Sequence, residues 1–345
     1  MSNSIFKKVL MYTIVYGFLY PLFHVMLYCH RPSKYKRVPE HKVKKLVNLK
    51  TVPEHERKYY NHDKYDPIPE QDEYSWLTNN PEHAQTFKKY KKQLKTCISK
   101  QAKIYICLLD DVGLTVQQHD DLIDFIQLWF QRQVVITNIF TDDIKANLTS
   151  RYNEQTSDNQ LLTTDIMTII EQHKQQLHEE QQLHEEKQQQ DDCCAYLVLT
   201  KQDLYGKNTN FVFGEANTRL GVGVFSTYRF NCDFNPNCVL DNINQSCIID
   251  TNNINTAKFQ MVCHIVVHEI GHMLGLGHCI YYSCNMNGCN SVFELLTQPL
   301  HLCPVDLYKL KYALDLDIIT RHEHLTQFYV KHNFVNEIAW ANQFC

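Results

Sequence analysis

The sequence predicts an α/β domain: a mixed, mostly parallel sheet with flanking helices, one of which carries a metal-binding site, and in addition an N-terminal apolar helix. Three observations predict it. An apolar run at residues 104–109 is followed by an amphipathic segment at 118–131 and a second apolar run at 134–137, the order of a βαβ unit with a right-handed crossover. A later stretch, beginning His268-Glu269-Ile270-Gly271-His272, sets two imidazoles four residues apart on one helical face. Residues 9–29 form an apolar, aromatic run unlike the rest of the chain, long enough to cross a bilayer.

Composition narrows the function classes. The 345 residues are 44% hydrophobic, enough for a substantial core. The formal charge of -4 excludes the strong basic excess expected of a nucleic-acid protein. Fourteen cysteines, several crowded around the histidines, fit either disulfides or reduced thiolates bound to metal.

In chain order, residues 1–30 are expected to be a retained membrane anchor, with a cleaved signal peptide or an interfacial helix as alternatives. Arg31, Lys34, Lys36, Arg37, Lys42, Lys44, Lys45 and Lys50 follow the run and favour a cytosolic downstream side, hence a single-pass membrane protein. Two sequons, Asn147-Leu148-Thr149 and Asn244-Gln245-Ser246, are open to glycosylation only in the opposite orientation. Residues 31–80, basic and then rich in Pro, Tyr and Asp, read as a tether. The principal domain spans 81–332. It opens with a helix over 87–94 and continues through the βαβ unit to a helix over 161–173. Residues 174–192, rich in Gln, His and Glu, form a low-complexity insert that is either a solvated extension of that helix or disordered. Strands follow at 195–199, 211–216 and 221–225. The last two are Gly-flanked, and read either as a core hairpin or as an edge that pairs with an extended peptide. Residues 229–255 are a polar, Asn-rich loop. The apolar pattern resumes near 256 and carries the histidine helix; residues 333–345 are a tail.

The chemistry lies in His268-Glu269-Ile270-Gly271-His272-Met273-Leu274-Gly275-Leu276-Gly277-His278-Cys279. Gly275 and Gly277 can end the helix and turn His278 back as a third nitrogen ligand. Three histidines leave a fourth position on Zn²⁺ open, where water is held and acidified. Glu269 is placed to act as the general base for that water rather than as a ligand. Cys279, Cys284 and Cys303 form a second constellation, open to chelation of another ion, to a disulfide, or to an unremarkable set of buried thiols. Met286, eight residues past His278, offers an apolar floor beneath the metal.

These motifs resemble the archaemetzincin family of zinc metallopeptidases, whose signature His-Glu-x-x-His-x-x-Gly-x-x-His-Cys, followed by x4-Cys-x-Met, is matched through Met286. The segments Asn210-Phe211-Val212-Phe213-Gly214, Gly221-Val222-Gly223-Val224-Phe225 and Pro299-Leu300-His301-Leu302-Cys303-Pro304 also resemble family segments, so the likeness covers roughly residues 70–320. The resemblance implies a metzincin-like α/β fold, hydrolysis of a peptide or protein substrate, a catalytic zinc on His268, His272 and His278, Glu269 as base, and a second zinc on four cysteines. In the last of those four positions this chain has Asp306, in Cys303-Pro304-Val305-Asp306. A carboxylate can ligate zinc; Cys289 and Cys263 are the other candidates. A zinc- or peptide-binding module without catalysis is the alternative reading, and the intact Glu269 argues against it.

Overall fold

The computed structural model describes residues 37–72, 75–94, 98–184, 193–230, 254–289 and 291–344. Within this range the chain is a mixed α/β protein built on a five-stranded sheet in the order β2-β1-β5-β8-β7, and a three-stranded sheet in the order β3-β4-β6. The strands are β1 (Lys103–Leu108), β2 (Val134–Thr137), β3 (Ser150–Asn153), β4 (Asp158–Leu162), β5 (Cys193–Thr200), β6 (Asp203–Tyr205), β7 (Gly214–Asn217) and β8 (Val222–Ser226). Strands β2, β1, β5 and β8 run parallel; β7 lies antiparallel to β8 at the edge. Central strand β5 is apolar as far as Thr200 because both its faces are covered.

The longer helices are α1 (Phe87–Leu94), α2 (Val116–Phe130), α3 (Thr163–His184), α4 (Ile254–Met273), α5 (Val292–Thr297), α6 (Pro304–Leu314), α7 (Ile318–Lys331) and α8 (Val335–Ala341). Side-chain alternation along the strands decides which helix each residue meets. Tyr196 and Val198 of β5, with Val222 and Val224 of β8, share a core with Ile166 and Ile170 of α3. A Cβ built on Gly223, between Val222 and Val224, would meet Met273 of α4 at 3.2 Å, so the opposite face belongs to α4. Helix α2 starts on a capping box, in which the Thr115 hydroxyl accepts from Gln118 N and the Gln118 side chain accepts from Thr115 N. It packs against α4 and α7.

Some expectations change. Strands β3, β4 and β6 carry too little apolar alternation to stand out in sequence; Gln160 and Asp203 are buried in them, Gln160 donating to Asp203 and Asp203 pairing in turn with Arg229. The helix expected at 161–173 begins at Thr163 and continues into the low-complexity segment as far as His184. Residues 38–68, expected as part of a tether, fold into short helical turns whose Tyr59, Tyr60 and Tyr65 are buried. Glu56 from this segment takes the Lys311 ammonium of α6 at 2.9 Å. The segment expected as a C-terminal tail contains α8, with Glu337 and Ala341 buried. Residues 69–72 and 75–82 belong to a separate compact unit, which holds one helical turn, Trp76–Asn79; there Trp76 Nε1 donates to Glu82 Oε1 at 2.9 Å.

The expected single-pass membrane location, with a cytosolic catalytic domain, is corrected. Among the described residues no helix is long and apolar enough to cross a membrane, and the run 9–29 on which the N-terminal helix rested lies outside them. The apolar side chains of the long helix α4 are committed inside the protein: Val262, Ile265, Val266, Val267 and Ile270 are all buried. Its histidines would also be costly in hydrocarbon.

Candidate metal centre

Helix α4 ends where the chemistry needs it to end. Gly275 has φ +87°, and the two hydrogen bonds from Gly275 N to His272 O and from Leu276 N to Gly271 O close a Schellman turn. The chain reverses there and returns His278 to the helix. The ligand atoms of His268, His272 and His278 lie within 4.8 Å of one another, with ring centroids 4.6 to 5.5 Å apart.

Their orientation is fixed from behind. His268 Nδ1 bonds the Asn285 carbonyl at 2.8 Å, and His272 Nδ1 bonds the Leu276 carbonyl at 2.8 Å. A carbonyl only accepts, so each Nδ1 carries the proton and each Nε2 presents a lone pair, the tautomer a metal ligand needs. Burial, then the neighbouring imidazoles His272 and His278, hold the His268 pKa well below the ordinary range. The donor set therefore fits Zn²⁺. Glu269 follows the first ligand on the helix, and burial pushes its carboxyl up to about 8. The charge of a bound divalent cation would oppose that rise. Beneath the helix, Met286 is fully buried, and a Cβ on Gly271 would fall 2.7 Å from its sulphur.

The turn bearing His278 is clamped by a residue the sequence did not single out. Gln85 Nε2 donates to Gly275 O at 2.8 Å, and Gln85 Oε1 accepts from Gly277 N at 3.1 Å. Tyr90 adds a bond from its hydroxyl to Leu274 O at 3.0 Å.

A second group lies on the loop that follows. Cys279, Cys284, Cys303 and Asp306 are buried, and their ligand atoms all lie within 4.8 Å of one another. Cys279 Sγ is 3.6 Å from Cys303 Sγ, and Asp306 Oδ2 is 3.5 Å from Cys284 Sγ and 3.4 Å from Cys303 Sγ. A tetrahedral zinc with ordinary bond lengths has donor–donor edges of roughly 3.5 to 3.8 Å, so these spacings fit such an ion. Cys303 N donates to Cys284 Sγ at 3.2 Å. Burial raises the Cys279 thiol, but hydrogen bonds from Cys284 and Cys303 pull it well below its usual value. None of the described cysteines is in a disulfide, and Cys263 and Cys289 do not join the group. Asn287 closes the loop: its amide donates to Cys279 O and Tyr282 O and accepts from Cys284 N. Asn285, beside Cys284, supplies the carbonyl that orients His268, so one loop serves both groups. Asn285 and Asn287 were within reach of sequence reasoning, since they flank Met286 inside the motif. Gln85 was not.

Comparison with known proteins finds similarity to one group of peptidases. The model of Peptidase family M54 matches residues 249–312, the span containing all three histidines and the Cys/Asp group. Archaemetzincin-2 of Mus musculus is 26% identical over 282 residues, covering 76% of this chain and 74% of the mouse protein; that of Homo sapiens is 26% identical over 284 residues, covering 77% and 75%. Among solved structures, an archaemetzincin from Archaeoglobus fulgidus aligns with 60% of this chain and 99% of its own, at 23% identity and a TM-score of 0.38. A hydrolase with this helix and this family match is a zinc metallopeptidase. Along about three quarters of its length the chain resembles the archaemetzincin family.

Proposed function

We propose that the protein hydrolyses peptide bonds at His268, His272 and His278, with Glu269 as general base, in a metzincin-like arrangement. The observation that carries this is the convergence of three imidazoles, two of them with Nδ1 anchored on backbone carbonyls. His268, His272 and His278 would hold a zinc ion, which would supply Lewis acidity toward the scissile carbonyl and lower the pKa of the attacking water. Glu269 takes the proton from that water and delivers it to the leaving amine. Strand β7 is an edge of the main sheet and packs against α4, so its outer backbone groups suit an extended substrate laid alongside it. We read Cys279, Cys284, Cys303 and Asp306 as a second, structural zinc site, and the catalytic domain as including residues 38–68 and α8.

The test is Glu269→Gln. Turnover of a panel of peptides should fall by about 10²- to 10⁴-fold while metal content stays that of the wild type. Full activity in that variant would end the general-base assignment. Zinc-loaded wild-type protein that binds peptides without cleaving any of them would replace this reading with that of a binding module.

A further inference from the structure

The second group contains a residue that a cluster of sulphurs alone would not require. Lys309 lies one turn beyond Asp306 on α6, and its Nζ is 2.7 Å from Asp306 Oδ1. Both side chains are buried, at 1% and 0% exposure. The other carboxylate oxygen, Oδ2, is the one that faces Cys284 Sγ and Cys303 Sγ. The two oxygens of Asp306 are thus divided, one on the ammonium and one on the sulphurs. An unpaired buried lysine would be strongly destabilising, so this placement needs the carboxylate as much as the carboxylate needs it.

Local structure explains how the pair is set. Cys303 is the N-cap of α6, Pro304 fills the first turn without wasting an N–H, and Asp306 sits in the same turn, where the helix dipole favours negative groups. A spacing of three places Lys309 on the same side of the helix as Asp306. A carboxylate in water-free surroundings can rotate about its last bond and has two equivalent oxygens. A thiolate has neither freedom. Replacing sulphur by carboxylate at this corner therefore calls for an orienting partner.

We propose that Lys309 is the positioning residue of a mixed metal site with three sulphur donors and one oxygen donor, in which its ammonium holds Asp306 Oδ1 and thereby aims Oδ2 at the cation. The proposal rests on reading the Cys/Asp group as a metal site. With a divalent ion, three thiolates and one carboxylate leave two negative charges in the core, and Lys309 reduces this to one.

The test uses the full chain reconstituted with Co²⁺, because only the sulphur site gives sulphur-to-cobalt charge-transfer absorption; the histidine site has no thiolate. Asp306→Cys should raise that absorption by about a third, from three thiolates to four. Lys309→Met should weaken Co²⁺ at the sulphur site by about tenfold or more, as loss of an outer partner does elsewhere. In the Asp306→Cys background the same Lys309→Met change should cost less than about threefold, since a thiolate needs no aiming. Equal losses in the two backgrounds would overturn the positioning role and leave only a general charge effect. Unchanged absorption in Asp306→Cys would overturn the oxygen corner. Should Lys309→Met fail to fold, Lys309→Gln is measured in its place, with the same expectations. Absence of any charge transfer in the wild type, with cobalt still bound at the histidines, would remove the second site and this proposal with it. Peptide hydrolysis is scored separately and bears on the catalytic reading alone.

Discussion

At the scale of single residues, close packing beneath the histidine helix limits what can be substituted. Gly271 is the clearest case. Its missing side chain is the space into which fully buried Met286 packs, and Gly271→Ala would put a methyl group 2.7 Å from that sulphur. Overpacking of this kind costs about 1–3 kcal/mol, and denaturant unfolding at neutral pH should show a loss in that range. A loss below about 0.5 kcal/mol would mean that Met286 has somewhere else to go. A second residue-scale effect is acid lability. Burial pushes the His322 imidazole down to about 4, against the Ala341 carbonyl that it bonds at 3.2 Å. In the unfolded chain a histidine takes up its proton near 6.5, so between about 6.5 and 4 the unfolded state binds more protons. His322 therefore contributes stability that is complete above about 6.5 and is lost as the pH falls toward 4. Melting temperatures should decline through that window, and His322→Phe should flatten the decline in part, because burial also depresses His62 and His332. An unaltered slope in the variant would count against this assignment.

At the scale of elements, the end of α4 and the turn after it matter most. The Schellman turn brings His278 back, but Gln85 keeps it there. Gln85→Leu would leave the Gly275 carbonyl and the Gly277 N–H without their partner, at about 1–3 kcal/mol for each group left unsatisfied. The third ligand should then be less well aimed, and competition with a chelator should show catalytic-zinc affinity down by about 10- to 100-fold. Wild-type affinity in this variant would show that the turn holds its shape unaided. The same scale shows the limits of reading the sequence. Helix α4 and strands β1, β2, β5 and β8 were legible because apolar runs and helical periodicity survive in them. Strands β3, β4 and β6 were not, because their stabilising groups are polar pairs such as Gln160 with Asp203. The short helical turns of residues 38–68 leave no such signal, since their buried tyrosines are spaced without a period.

At the scale of the whole molecule, the two donor groups share a loop. Cys279 and Cys284 stand at one end of it with the sulphur group, and the Asn285 carbonyl orients His268 at the other. The segment that delivers Cys303 is braced in turn by α8, where Glu337 accepts from Leu300 N at 2.8 Å and contacts His301 Nδ1 at 3.0 Å, while the His301 ring stacks on Trp340 at 3.8 Å. Coupling between the sites follows. Cys284→Ser, which removes one sulphur from the second group, should lower zinc affinity at the histidines by about fivefold or more. By reciprocity, loading the histidine site should tighten metal at the intact sulphur site by the same factor. Calorimetric titration of each site checks both directions; a histidine-site affinity unmoved by loss of the second metal would show the loop to be rigid by itself.

The sequence by itself determined the candidate ligands. Two histidines four residues apart, a third beyond two glycines and a glutamate beside the first are constraints of spacing along one helix and one turn, and periodicity carries them without knowledge of the rest. Tertiary structure alone decided what holds those ligands. Gln85 reaches the turn from 190 positions away, the Asp306–Lys309 pair acquires meaning only once both are seen buried against three sulphurs, and α8 closes over the segment leading to Cys303. The physical reason is common to all three. Hydrogen bonds and ion pairs between distant segments leave no periodic trace in the chain, and their strength comes from burial, which exists only after folding.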